Sequence, residues 1–119
     1  MKIQIHSFID KGNINSERIA LRASADCNLK FFCIHLTYEL SSGGFYNQPK
    51  HTYWFPPQDI KSGDWIVIYT GHGKSSSKKN EDGSTSYFYY WGLDNIIFNK
   101  PEDTIVLAEL NTWQTKNNR

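Results

Sequence analysis

Four histidines and two cysteines are the residues of this chain best suited to metal binding or nucleophilic chemistry. His6, His35, His51 and His72 contain no pair at a helical ligand spacing such as His-x-x-x-His, so spacing alone assembles no metal site. His72 stands apart because Gly71 and Gly73 flank it and leave its ring open at a strand end. That makes it a candidate contact residue; the plainer alternative is a turn histidine tolerated for its backbone angles. His35 alternates with large apolar residues and reads as a satisfied interior or interface residue. Cys27 and Cys33 form neither a Cys-x-x-Cys pair nor a disulfide framework, and read as two reduced cysteines. Either could be combined with His72 and Asp64 into nucleophile, base and orienter, but neither lies on a strand-to-helix elbow. Gly71-His72-Gly73-Lys74-Ser75 lacks the spacing and the following helix of a phosphate loop. The expectation is a chain with no catalytic residues, no metal and no cofactor.

Residues suited to contact are more prominent. Lys74, Lys78 and Lys79 stand in a polar stretch, Lys74 to Ser84, against Glu81 and Asp82. Such a stretch cannot bury enough apolar surface to order itself, so a mobile surface loop is expected. Five aromatics follow in succession, Tyr87 to Trp91. In a strand half of them face away from the core, either Tyr87, Tyr89 and Trp91 or Phe88 and Tyr90. Outward aromatics in a row bury much area at small entropic cost, which suits an interface. The contact set drawn from the sequence is Tyr87, Tyr89, Trp91, His72, Lys74, Lys78 and Lys79.

These residues need a scaffold, and 119 residues allow one domain with a single core. The aromatic share of 15% favours β structure. A net charge of +1 names no acidic or basic partner. The N-terminus lacks a signal-peptide apolar run and no segment is apolar enough to cross a bilayer, which fits a cytoplasmic protein.

The stretch from Ile60 to Gly73 organises the scaffold. After the turn Ser62-Gly63-Asp64, Trp65, Val67 and Tyr69 take one face and Ile66, Ile68 and Thr70 the other. A strand with no plainly wet side belongs near the middle of a sheet. Alternation marks further strands at Lys2–Phe8, Glu17–Ser24, Lys30–Leu40, His51–Phe55, Ser86–Trp91 and Thr104–Leu110, with a shorter apolar piece at Asn95–Phe98. Trp113 could pin one more segment before a polar tail, 116–119, that frays. Seven or eight short strands without a convincing helix indicate an antiparallel sandwich or barrel across residues 1–115.

The order of these segments resembles the lamin-tail domain, an immunoglobulin-like β-sandwich. Glu17-Arg18-Ile19-Ala20-Leu21 is similar to the family's glutamate followed by alternating apolar residues. Tyr53-Trp54-Phe55-Pro56 is similar to its aromatic strand ending in proline. The stretch from Ile60 to Gly71 is similar to its glycine turn and the strand that ends in Thr-Gly. Phe98 to Leu107 resembles its segment around an aspartate before the last strand, with Glu102 standing where the family has glycine and Phe98 where tryptophan is common. The resemblance runs from Ile3 to Leu110. It implies an accessory module that makes protein or nucleic-acid contacts, without chemistry of its own.

The function expected is a non-catalytic interaction module that binds a protein partner or itself. One alternative is a nucleic-acid-binding module using the 74–79 loop and adjacent aromatics. A small hydrolase is the other.

Overall fold

The computed structural model describes all residues from Met1 to Arg119. Its strands are β1 (Ile3–Ile9), β2 (Arg18–Ala23), β3 (Cys27–Asn28), β4 (Phe32–Tyr38), β5 (His51–Trp54), β6 (Asp59–Ile60), β7 (Trp65–Tyr69), β8 (Ser76–Lys79), β9 (Thr85–Tyr90) and β10 (Asp103–Glu109), with one 3-10 turn at Leu29–Phe31. Five of them form a sheet in the order β1-β2-β7-β9-β8, and three form a second in the order β10-β4-β5. A small pair, β3 with β6, completes the pairing. No helix is long and apolar enough to cross a membrane.

Alternation decides which side chains meet. From the first sheet Ile19, Leu21, Ile66, Ile68 and Tyr89 enter one buried cluster, and from the second Phe32, Ile34, Leu36 and Ile105 join it. Burying a Leu, Ile or Phe side chain is worth roughly 1.5–3 kcal/mol, so this shared cluster is what joins the sheets. β7 is the middle strand of its sheet, as its two apolar faces require. A register shift between Ile5 and Ser7 leaves His6 as an extra residue in β1. The bulge turns Phe8 back toward Phe98, with ring centroids 4.5 Å apart, and lays the His6 ring edge-on against Trp65 at 4.8 Å.

Two expectations are corrected. The stretch around Lys78 is not a loop throughout: Ser76–Lys79 is strand β8, exposed at every position. It needs no buried side chain because its backbone pairs with β9, and its turn is closed by Ser84, which donates its N–H and hydroxyl to Asp82 Oδ1. The sheet is not purely antiparallel, since β7 and β9 run parallel. β9 brings Tyr87 and Tyr89 to bury beside Ile66 and Ile68, whereas β8 offers only Ser and Lys, so the apolar strand takes the inner position and the polar one the edge. The short apolar piece Asn95–Phe98 leads into the turn before β10 as irregular chain, with Ile97 buried.

Two buried carboxyl groups tie the loops to this frame. Glu17 is fully buried and accepts from Gly12 N–H at 2.8 Å, Ile97 N–H at 2.9 Å and Thr70 Oγ1 at 2.8 Å. Asp64 accepts from Lys61 N–H and Thr85 N–H, both at 2.9 Å, fixing the turn before β7 to the start of β9.

Candidate functional site

The register settles which aromatics are available for contact. Tyr87 and Tyr89 lie beside Ile66 and Ile68 on the inner face, and Trp91 packs against the same core. Phe88 and Tyr90 lie beside Val67 and Tyr69 on the outer face. The three aromatics chosen from the sequence therefore face inward, and the alternate set, Phe88 and Tyr90, faces outward. The sequence offered both sets, and only burial on the neighbouring strand distinguishes them.

The outer face has its own organisation. Arg22 pairs with Trp65 across the strands and its guanidinium lies 4.4 Å from the Trp65 ring centroid. One end of that strand repeats the arrangement, with Arg18 at 5.4 Å over Tyr69. Tyr69 in turn stacks on Tyr90, centroids 4.9 Å apart and planes within 13°. Ala20, Val67 and Phe88 floor the space between, an open depression of about 430 Å³ that His6, Arg18 and Asp82 also line. Guanidinium groups over aromatic faces keep their outer donors free while covering apolar surface. Arg18 also pairs with Asp10 at 3.3 Å. Sequence alternation could have found Trp65, Val67 and Tyr69, but their equal claim to the core hid them.

The basic residues are not gathered on this face. Lys78 stands opposite Ser86 and so shares the outer side of β8, while Lys79, opposite Thr85, falls on the other side. Lys74 is exposed ahead of β8. His72 is exposed at the end of β7, its Nε2 2.8 Å from Asp94 Oδ1. Its backbone is ordinary, so the flanking glycines serve something other than a left-handed turn. A Cβ on Gly71 would stand 2.7 Å from the Ile14 carbonyl oxygen, and one on Gly73 would stand 2.3–2.5 Å from the Tyr90 ring. Both glycines permit close approach, and Gly73 is what lets Tyr90 lie flat beside Tyr69.

The nucleophilic set imagined from the sequence is not brought together. His72 is bonded to Asp94, Asp64 is committed to two backbone N–H groups, and Cys33 lies in the other sheet. There Cys33 Sγ is 3.3 Å from His35 Nε2, and His35 Nδ1 is 2.7 Å from Thr52 Oγ1. Burial pushes the Cys33 thiol up, which favours the neutral thiol over the reactive thiolate. His35 is a satisfied residue between Cys33 and Thr52, in keeping with its position in the strand. Cys27 and Cys33 are both free thiols. No three His, Cys, Asp or Glu side chains gather where they could hold a metal ion.

No family model, no curated protein and no solved structure matches the chain.

Proposed function

We propose that this chain is a non-catalytic interaction module that binds a protein partner or a second copy of itself, with the outer face of the five-stranded sheet as its contact surface. The observation that carries the reading is the half-exposed group Trp65, Tyr69, Phe88 and Tyr90, topped by Arg18 and Arg22. Aromatic and arginine side chains are the types enriched where interfaces draw their affinity. The finer assignment, an immunoglobulin-like sandwich of the lamin-tail kind, is supported by the order of the segments along the sequence and by the two sheets that share one core. The test is partner capture and sedimentation with the intact chain and with a Phe88→Ser, Tyr90→Ser variant. Loss of partner or self-association in a folded variant supports the reading; unchanged association through the variant refutes it.

The guanidinium–aromatic pairs also favour a second reading, single-stranded nucleic acid lying across the same face with Lys78 at its rim. It requires retention of single-stranded DNA or RNA that weakens steeply with salt. No retention at low salt removes it.

A further inference from the structure

The second sheet ends on β10, whose far side meets no strand. Its register with β4 fixes which backbone groups are in use. Leu110 N–H donates to the Phe31 carbonyl at 2.6 Å and Glu39 N–H to the Glu102 carbonyl at 2.7 Å. Even-numbered positions of β10 are therefore the ones that exchange hydrogen bonds with β4. The N–H and C=O groups of Ile105, Leu107 and Glu109 point away from it, and no hydrogen bond within the chain reaches them. Ile105 is only 7% exposed because its side chain sits in the core cluster, so the edge is anchored from beneath.

The remaining edges are blunted by the means proteins ordinarily use. β8 is four residues long, wholly polar, and carries Lys78 and Lys79. β5 is also four residues long, and β1 is broken by its bulge. β10 is a seven-residue run, as β1 is, but it is unbroken, with Ile105, Val106 and Leu107 at its centre and neither lysine nor proline.

We propose that β10 receives an extended segment of another protein as an added strand. Asp103, Ile105, Leu107 and Glu109 lie opposite Tyr38, Leu36, Ile34 and Phe32, so their side chains share the core-facing side. Two carboxylates thus bracket two apolar residues along the open edge, Asp103 accepting the Asn99 and Lys100 N–H groups through Oδ2 and keeping Oδ1 for a cation. The complementary strand carries a cation at each end and an apolar residue at the two alternate positions between, in the pattern basic-x-apolar-x-apolar-x-basic. No two lysines or arginines of this chain stand six residues apart, so no segment of a second copy supplies that pattern. Pairing β10 with its own copy over its full length would also set Asp103 against Glu109 twice, like charges directly opposite.

The probe is the capped peptide Lys-Thr-Val-Thr-Val-Thr-Lys, added to isotope-labelled chain while amide exchange is followed residue by residue. Saturating peptide is expected to slow exchange at Ile105, Leu107 and Glu109 by at least about tenfold, one hydrogen-bonded partner each. Glu109→Pro, which removes an outward N–H but none that pairs with β4, is expected to weaken binding about tenfold. Glu109→Lys, an exposed charge reversal, is expected to weaken it while leaving the fold intact. The proposal is overturned if the three amides exchange at unchanged rates, if the same peptide with glutamate at both ends binds equally, or if the peptide-free chain already protects them as a dimer.

Discussion

Thr70 Oγ1 donates a 2.8 Å hydrogen bond to Oε1 of Glu17, across 53 positions of sequence and with both residues fully buried. The contact joins the end of β7 to the start of β2 beneath the loop that carries Ile97. Glu17 has no cation among its partners, so its carboxyl depends on the three donors from Gly12, Thr70 and Ile97. Removing it strands those donors in the interior. Glu17→Ala is expected to cost about 3 kcal/mol, and Thr70→Val, which removes one donor, about 1 kcal/mol. Glu17→Gln is expected to fall between them, because an amide N–H₂ would face the Gly12 N–H. Urea unfolding midpoints at neutral pH measure all three, and a Glu17→Ala midpoint equal to that of the parent chain would contradict this account.

The two glycines around His72 predict different consequences for the same substitution. Gly71→Ala sets a Cβ against a backbone oxygen, Ile14 O, which can move only with its loop. Overpacking of that kind costs about 1–3 kcal/mol. Gly73→Ala sets a Cβ against the half-exposed Tyr90 ring, which can swing outward. Its stability is expected to stay within about 1 kcal/mol of the parent, while the Tyr69–Tyr90 stack is lost. Ring-current shifts of the two tyrosines measure the stack. A large stability loss for Gly73→Ala with the stack intact would show that the ring is not what the glycine accommodates.

The outcome of the sequence reading follows from where alternation is unambiguous. In β4, Phe32, Ile34 and Leu36 alternate with Cys33, His35 and Thr37, and the large apolar set is the one in the core cluster. In β7 and β9 both faces are apolar or aromatic, so periodicity located the strands without telling inside from outside. That ambiguity placed Tyr87, Tyr89 and Trp91 at an interface when they face the core. β8 left no signal because a polar edge strand is held by backbone bonds, which its Ser and Lys residues do not announce. The parallel β7–β9 pair was equally hidden, since the choice between two edge positions depends on which hairpin strand has something to bury. Glu17 entered the reading as the start of a strand and as part of a family resemblance but not as a buried acceptor, because its three donors come from separate parts of the chain.

The division of the β9 aromatics gives paired outcomes. Tyr89→Ser removes a core side chain and is expected to cost about 3 kcal/mol. Phe88→Ser on the opposite face is expected to cost under about 1 kcal/mol. Binding should move the other way: Phe88→Ser with Tyr90→Ser abolishes capture of the partner, while any effect of Tyr89→Ser follows its unfolded fraction. Denaturation and binding assays on the same preparations separate the two. Equal destabilisation by Phe88→Ser and Tyr89→Ser would mean that β9 is buried on both sides.

Burial pushes the Tyr89 hydroxyl up to about 12, with Tyr53 and Tyr87 adding to the effect, and Tyr53 is raised by burial as well. A raised acid favours the fold while it remains protonated. Its contribution is complete below the unfolded tyrosine value of about 10 and is lost as pH climbs from there, the unfolded chain releasing the proton first. The chain is therefore expected to lose stability between about pH 10 and 12. Tyr89→Phe keeps the ring in the core without the ionisable hydroxyl, so it should match the parent near neutrality and flatten the alkaline limb. Tyr53→Phe should act in the same direction. Unfolding midpoints recorded across the alkaline range decide the matter: if the Tyr89→Phe limb falls as steeply as that of the parent, ionisation of this buried phenol is not what loosens the fold.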